Sequence, residues 1–230
     1  MIPLIDISAF IWFMICWVSY TRYADLQARD NLTLMSVMHG YRMQWMHEML
    51  HRDARIVDSN IVMILARSAT FLASTTIFIL AGLIAVLGTM DTAIEIVGEL
   101  RYAVQTTREV WELKLIMLLL VFIYAFFKFT WSMRHFNYLS IMVGAAPASD
   151  ALPEWSETFA ERAAKVSSKA TNTFNRGLRA YYFGLAFLSW FLHPLVFILA
   201  TVLVVGVLYR REFKSGMLRE LGDPNDFSSD

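Results

Sequence analysis

The sharpest chemical pattern in the chain is His47-Glu48-Met49-Leu50-His51, which fits H-E-x-x-H. On a helix, two histidines four apart share a face that can hold Zn²⁺, with Glu48 as the base that activates water. A catalytic zinc needs a third protein ligand, and no downstream Glu, Asp or His motif supplies one. His39 is the remaining candidate, upstream on the same helix. The alternative is a plain polar face, because His47 and His51 point away from the stripe Leu34, Met38, Tyr41, Trp45, Met49 and Ile56.

A second group is cationic. Arg67 falls inside an apolar run, where an arginine is costly and faces a partner, a cavity or the interface. Lys128 occupies a similar depth in another run and is followed by Arg134, His135, Asn137 and Tyr138. Lys128, Trp131, His135 and Tyr138 share one helix face by three- and four-residue steps. One reading has both cations snorkel to lipid phosphate or to Asp58; the other has them line an anion path or a lipid headgroup site. Asp58 and Asn60 also supply helix-start chemistry. His193, beside Pro194, is read near the middle of a span, where it is either hydrogen-bonded within a bundle or part of a proton relay.

These residues need long apolar helices to hold them. The chain is 230 residues long, 57% hydrophobic and 17% charged, with a mean hydropathy of +0.47. That composition predicts an all-α polytopic membrane protein rather than a soluble domain. Zero net charge gives no argument for nucleic acid. The one cysteine, Cys16, excludes an intrachain disulfide. No phosphate-binding glycine loop, dinucleotide fingerprint or nucleophile elbow is present.

Four spans are predicted, at about residues 2–20, 61–88, 113–133 and 183–209, since roughly 20 apolar residues cross the hydrocarbon. The first lacks the flanks of a cleavable signal and is read as an uncleaved span. Amphipathic helices are expected at about 31–57, 91–112 and 156–182, all within a single integral domain. Helical character at 113–133 should run on to Val143, because no Gly or Pro intervenes before Gly144. Residues 147–153 form the linker, and proline at 194 should kink the last span. In the central span Ala66, Thr70 and Ser74, and then Ala81 and Ala85, recur four apart, beside Ala69 and Ala73. Such spacing suits close helix packing in lipid, or a hydroxyl-lined pore wall.

Four crossings put both termini on one side. Loops 21–60 and 134–182 carry five and six Lys or Arg, eleven in all, against six on the other side. Basic excess therefore places those loops in the cytoplasm and both termini outside an inner (plasma) membrane, although the basic tail at Arg210–Arg219 opposes the assignment.

Several stretches resemble the bacterial and plant membrane family catalogued as domain of unknown function 599. They include Arg55 to Asn60, Ala73 to Thr76, Phe127 to Ser132, Phe136-Asn137-Tyr138, Gly144 to Pro147, Asn175 to Phe183 and Arg210 to Phe213. The resemblance implies a polytopic membrane protein of unsettled activity, and H-E-x-x-H is not among the family's associations. The preferred expectation is a non-enzymatic homo-oligomer in contact with membrane lipids, channel-like or pore-like and needing no cofactor. An accessory or scaffold subunit among unlike membrane partners comes second, and a zinc peptidase through His47 and His51 third.

Overall fold

A computed structural model describes residues 3–30, 33–99, 104 and 106–221. Leu100 and Arg101 of the helix expected at 91–112, and residues 223–230, lie outside the described residues. The helices are α1 (Leu4–Asp30), α2 (Leu34–Leu50), α3 (Ile56–Gly88), α4 (Met90–Gly98), α5 (Arg108–Gly144), α6 (Ser156–Leu188), α7 (Pro194–Phe213) and α8 (Gly216–Leu221), and there is no strand among the described residues. Four of these are long and apolar enough to cross a membrane: Leu4–Gln27, Ile56–Gly88, Arg108–Gly144 and Pro194–Leu218. The all-α membrane fold expected from composition is therefore present. As expected, α5 runs unbroken to Gly144, for want of an earlier helix breaker.

Contacts between side chains fix the direction of each helix. Near one end Asp6 of α1 meets Lys114 of α5 and Trp190, the last within a 3-10 turn, Ser189–Phe191, that follows α6. Toward the other end Tyr20 bonds Glu212 of α7, and Tyr23 packs on Phe213. Thus α1, α5 and α7 run one way. α6 runs the opposite way beside α5: Ser132 bonds the carbonyl of Ala170, Gly177 abuts Phe129, Gly184 abuts Phe122, and Lys114 reaches Trp190. α3 is also antiparallel to α5, with Val62 in the same cluster as Leu139 and Ala73 in the same cluster as Ala125.

The expected single span at 183–209 is accordingly a reversal, not a kinked rod. Residues 183–188 close α6 and Pro194 opens α7, with Pro in the first turn where its missing N–H costs nothing. Phe187 and Trp190 fold back onto Phe197, their ring centroids 5.3 and 5.1 Å away. Residues 4 and 213 consequently lie at opposite ends of the bundle, and the expectation that the termini share a side does not hold there.

The molecule has two layers along its axis. One contains α1, α7, the C-terminal halves of α3 and α6 and the first half of α5, packed around Phe13, Phe183, Phe187 and Phe197. The other joins α2 to the start of α3, the end of α5 and the first half of α6 around Met46, Val62, Leu139 and Ala164. At about 1.5 Å per residue the 33 residues of α3 extend about 50 Å, some 20 Å more than a hydrocarbon core. The second layer accounts for that excess. α2 buries Val37, Met46, Met49 and Leu50, so only Met49 of the expected stripe is fully inside. α6 turns a small-residue side inward, with Ala163, Ala170 and Gly177 buried.

Candidate functional site

The small residues of α3 divide between two faces. Ala69, Ala73 and Thr76 are buried against α5 and α6, and the Thr76 hydroxyl meets that of Tyr181 at 2.6 Å. Arg67, Thr70, Ser74, Ile77, Ala81, Ile84 and Gly88 are all exposed. Their alternating three- and four-residue steps are those of a helix-packing seam. A Cβ added at Gly82 or Gly88 would meet nothing within 4 Å, whereas at Gly177 it would lie 2.7 Å from the Phe129 ring. The chain uses Gly177 to bring two of its own helices together. It makes no such use of Gly82 and Gly88. Thr70 and Thr75 return their hydroxyls to carbonyls one turn back, which lets them face an apolar medium without an unpaired donor.

Arg67 and Lys128 are not brought together by any contact among the described residues. Arg67 projects outward beside the second layer, and Lys128 is half-buried with its ammonium 5.0 Å from the Tyr124 ring centroid. Arg134 lies over Trp131, and His135 is buried edge-on to Trp131 and Tyr138. Asn137 and Tyr138 face outward, as does Asn60. The shared face of Lys128, Trp131, His135 and Tyr138 is thus a mixed aromatic and cationic surface, with Ser74 on the separate outward seam of α3.

Asp58 serves the second layer. Its Oδ1 accepts from Trp45 Nε1 and Arg52 Nη1, each at 2.7 Å, at zero exposure, and so ties α2 and the 51–55 turn to α3. Arg55 completes the tie by donating to the carbonyls of Met49, Ala146 and Pro147. His47 Nδ1 is held 2.6 Å from Glu157 of α6, and His51 forms the C-cap of α2. Among the described residues no third His, Cys, Asp or Glu joins them in a metal-sized cluster. His39 Nδ1 lies 2.8 Å from the Ser168 hydroxyl. Burial, then Arg42 and Lys165, holds its imidazole below the usual histidine range. His193 stands at the reversal between α6 and α7, where its Nδ1 accepts from the Leu195 amide as N-cap.

Sequence reasoning missed two charged clusters. Asp6 and Lys114 form a buried pair at 2.8 Å, with side chains 2% and 3% exposed. The Trp190 indole donates to the same Asp6 oxygen at 2.6 Å, and Lys114 donates to the Trp190 carbonyl at 3.1 Å. At the other end of the spanning layer Arg179, 2% exposed, bonds Asp25 at 3.0 Å and Glu212 at 3.0 and 3.2 Å. Arg176 shares Asp25, and Tyr20 donates to Glu212. Buried charges persist only when paired in this way. The signal available in the sequence was a charge at the border of each apolar run; the partner, up to 192 residues distant, was not readable.

A family model described as "Protein of unknown function, DUF599" matches residues 8–217. No curated protein and no solved structure matches.

Proposed function

The chain belongs to the DUF599 family of proteins of unknown function, and from that premise we propose that it acts as a non-enzymatic membrane assembly of identical copies joined along the outward seam of α3. The supporting observation is the seam itself: seven exposed positions at helix-packing steps, among them Gly88, whose smallness, like that of neighbouring Gly82, no other described residue uses. A closed ring of such copies would place Thr70, Ser74 and Arg67 on or near its axis, which supports a pore. The test is cross-linking of Ser74→Cys in a Cys16→Ala background in native membranes, with native mass spectrometry of the parent in detergent. Cross-linked dimers and one closed stoichiometry are expected; a monomer in both sinks the proposal. Where the ring persists, liposome conductance that survives Arg67→Ala and Ser74→Phe unchanged replaces the pore with a scaffold role.

The orientation that accompanies this function has five crossings. α5 and α7 are parallel, so a segment between them must carry the chain back, and the C-terminal half of α6 is alongside both. With that crossing counted, loops 21–60 and 134–182 and the tail after residue 209 share a side. With Arg176 and Arg179 inside the crossing, they hold five, four and four Lys or Arg, thirteen in total, against Arg101 and Arg108 opposite. The basic tail that opposed a four-crossing orientation now agrees with the loops, which supports a cytoplasmic C-terminus and an external N-terminus. A reporter fused after residue 221 should be active in the cytoplasm and silent outside; the reverse outcome removes the fifth crossing.

A further inference from the structure

A cavity of about 100 Å³ opens between α2, α6 and α7 at the end of the spanning layer that holds Arg179. Its back wall is Arg179 and Glu212, and these are already satisfied. Arg176 and Arg179 balance Asp25 and Glu212, so the wall carries no excess charge. The mouth differs. Arg211 is exposed, donates to the Tyr182 hydroxyl at 2.7 Å, and has no carboxylate partner among the described residues. Asn175 and Tyr182 add polar groups on one side, while Leu34, Leu178 and Leu208 line the other. Arg211 also borders a second, shallower cleft with Arg210, Lys214 and Ser215. Three cations within five residues thus stand where the apolar run of α7 ends, one of them at the entrance to a half-apolar cavity.

We propose that this cavity is a phosphate-ester site, with Arg211 and Tyr182 as its ligands and an anionic phospholipid headgroup or a free phosphate compound as its occupant. A guanidinium beside a hydroxyl suits phosphate oxygens. Its level at the end of the apolar run is the depth of lipid phosphates, and the leucine side accepts the apolar part of a lipid. The inference is independent of copies meeting at α3, because every lining residue belongs to one chain.

The test is thermal unfolding of the full, delipidated protein in neutral detergent, titrated with phosphatidylglycerol, phosphatidylcholine or inorganic phosphate. Phosphatidylglycerol should stabilise at lower concentration than phosphatidylcholine. Arg211→Gln should weaken that response about tenfold, the scale of one lost charge-assisted bond. Tyr182→Phe should weaken it less, and Arg162→Gln, an exposed cation remote from the cavity, not at all. Stabilisation by inorganic phosphate alone, lost in Arg211→Gln, assigns the site to a soluble phosphate compound. Equal responses of the parent and Arg211→Gln to both phosphatidylglycerol and phosphate overturn it. Arg211 is exposed and, among the described residues, donates only to Tyr182, so its replacement leaves the fold intact as the reference.

Discussion

α3 and α5 are matched in apolarity, yet 11% of the most apolar stretch of the first and 44% of that of the second are buried within the chain. α5 is the central strut: its sides meet α3, α6, α1 and the 3-10 turn, and it carries the one lysine of the Asp6 pair. α3 uses a single face and leaves the other bare. In water such a face would be driven under cover, but in lipid apolar exposure carries no penalty, and close packing of small residues is the remaining inducement to associate. Hydropathy therefore identifies which helices live in the membrane and says nothing about which are interior. The distribution of small residues does.

The largest test of the contrast lies on α5. Lys114→Met leaves Asp6 buried and unpaired and should cost about 3–5 kcal/mol of stability, measured by denaturant-induced unfolding in mixed micelles. Combining it with Asp6→Leu should restore most of the loss; a double variant as weak as the single would mean that the pair is not the source. Next, Gly177→Val on α6 drives a side chain into the Phe129 ring and should cost about 1–3 kcal/mol. On the bare face of α3, Gly82→Val should change the stability of the single chain by no more than about 0.5 kcal/mol. A comparable penalty at both glycines would erase the distinction between the faces. Ser74→Trp, equally mild for the single chain, should lower the stoichiometry seen by native mass spectrometry; unchanged stoichiometry would place the contact elsewhere.

The smallest effect concerns α2, which belongs to neither spanning helix. The His39 imidazole sits below its unfolded range, so its stabilising contribution is complete above an ordinary histidine pKa. It is lost as pH falls through the lower folded value. Hydrogen-exchange protection over residues 34–50, corrected for the intrinsic exchange rate at each pH, should fall on acidification from about pH 7 to 5, and His39→Gln should flatten that dependence. Protection that is constant over this window would show that His39 does not tie α2 to Ser168.

Much of the architecture was legible because it rests on local rules. Apolar run lengths marked four regions that can span, and the absence of Gly or Pro before Gly144 set the C-terminal end of α5, though not its start at Arg108. The family, too, was legible, from short stretches distributed over nearly the whole chain. The return path through α6 was not. Its first half is polar, and Arg176 and Arg179 interrupt the second, so no window average reports it; those arginines are offset by Asp25 and Glu212, over 150 and over 30 residues away. Pro194 was equally ambiguous, because proline suits a kink and a first helical turn alike. Aromatic packing on Phe197, edge-on by Phe187 and stacked by Trp190, decides for the turn. The site residues fared in the same manner. Asp58 is a structural anchor and His193 a cap, roles set by neighbours that spacing does not name.

That the chain enters the bundle at one end and leaves it at the other constrains how such a protein can be lengthened by gene duplication. With α6 as the proposed fifth crossing, two head-to-tail copies joined by a short linker would enter the bilayer in opposite orientations, the second upside down relative to the first. Keeping both upright would require one additional hydrophobic helix between them.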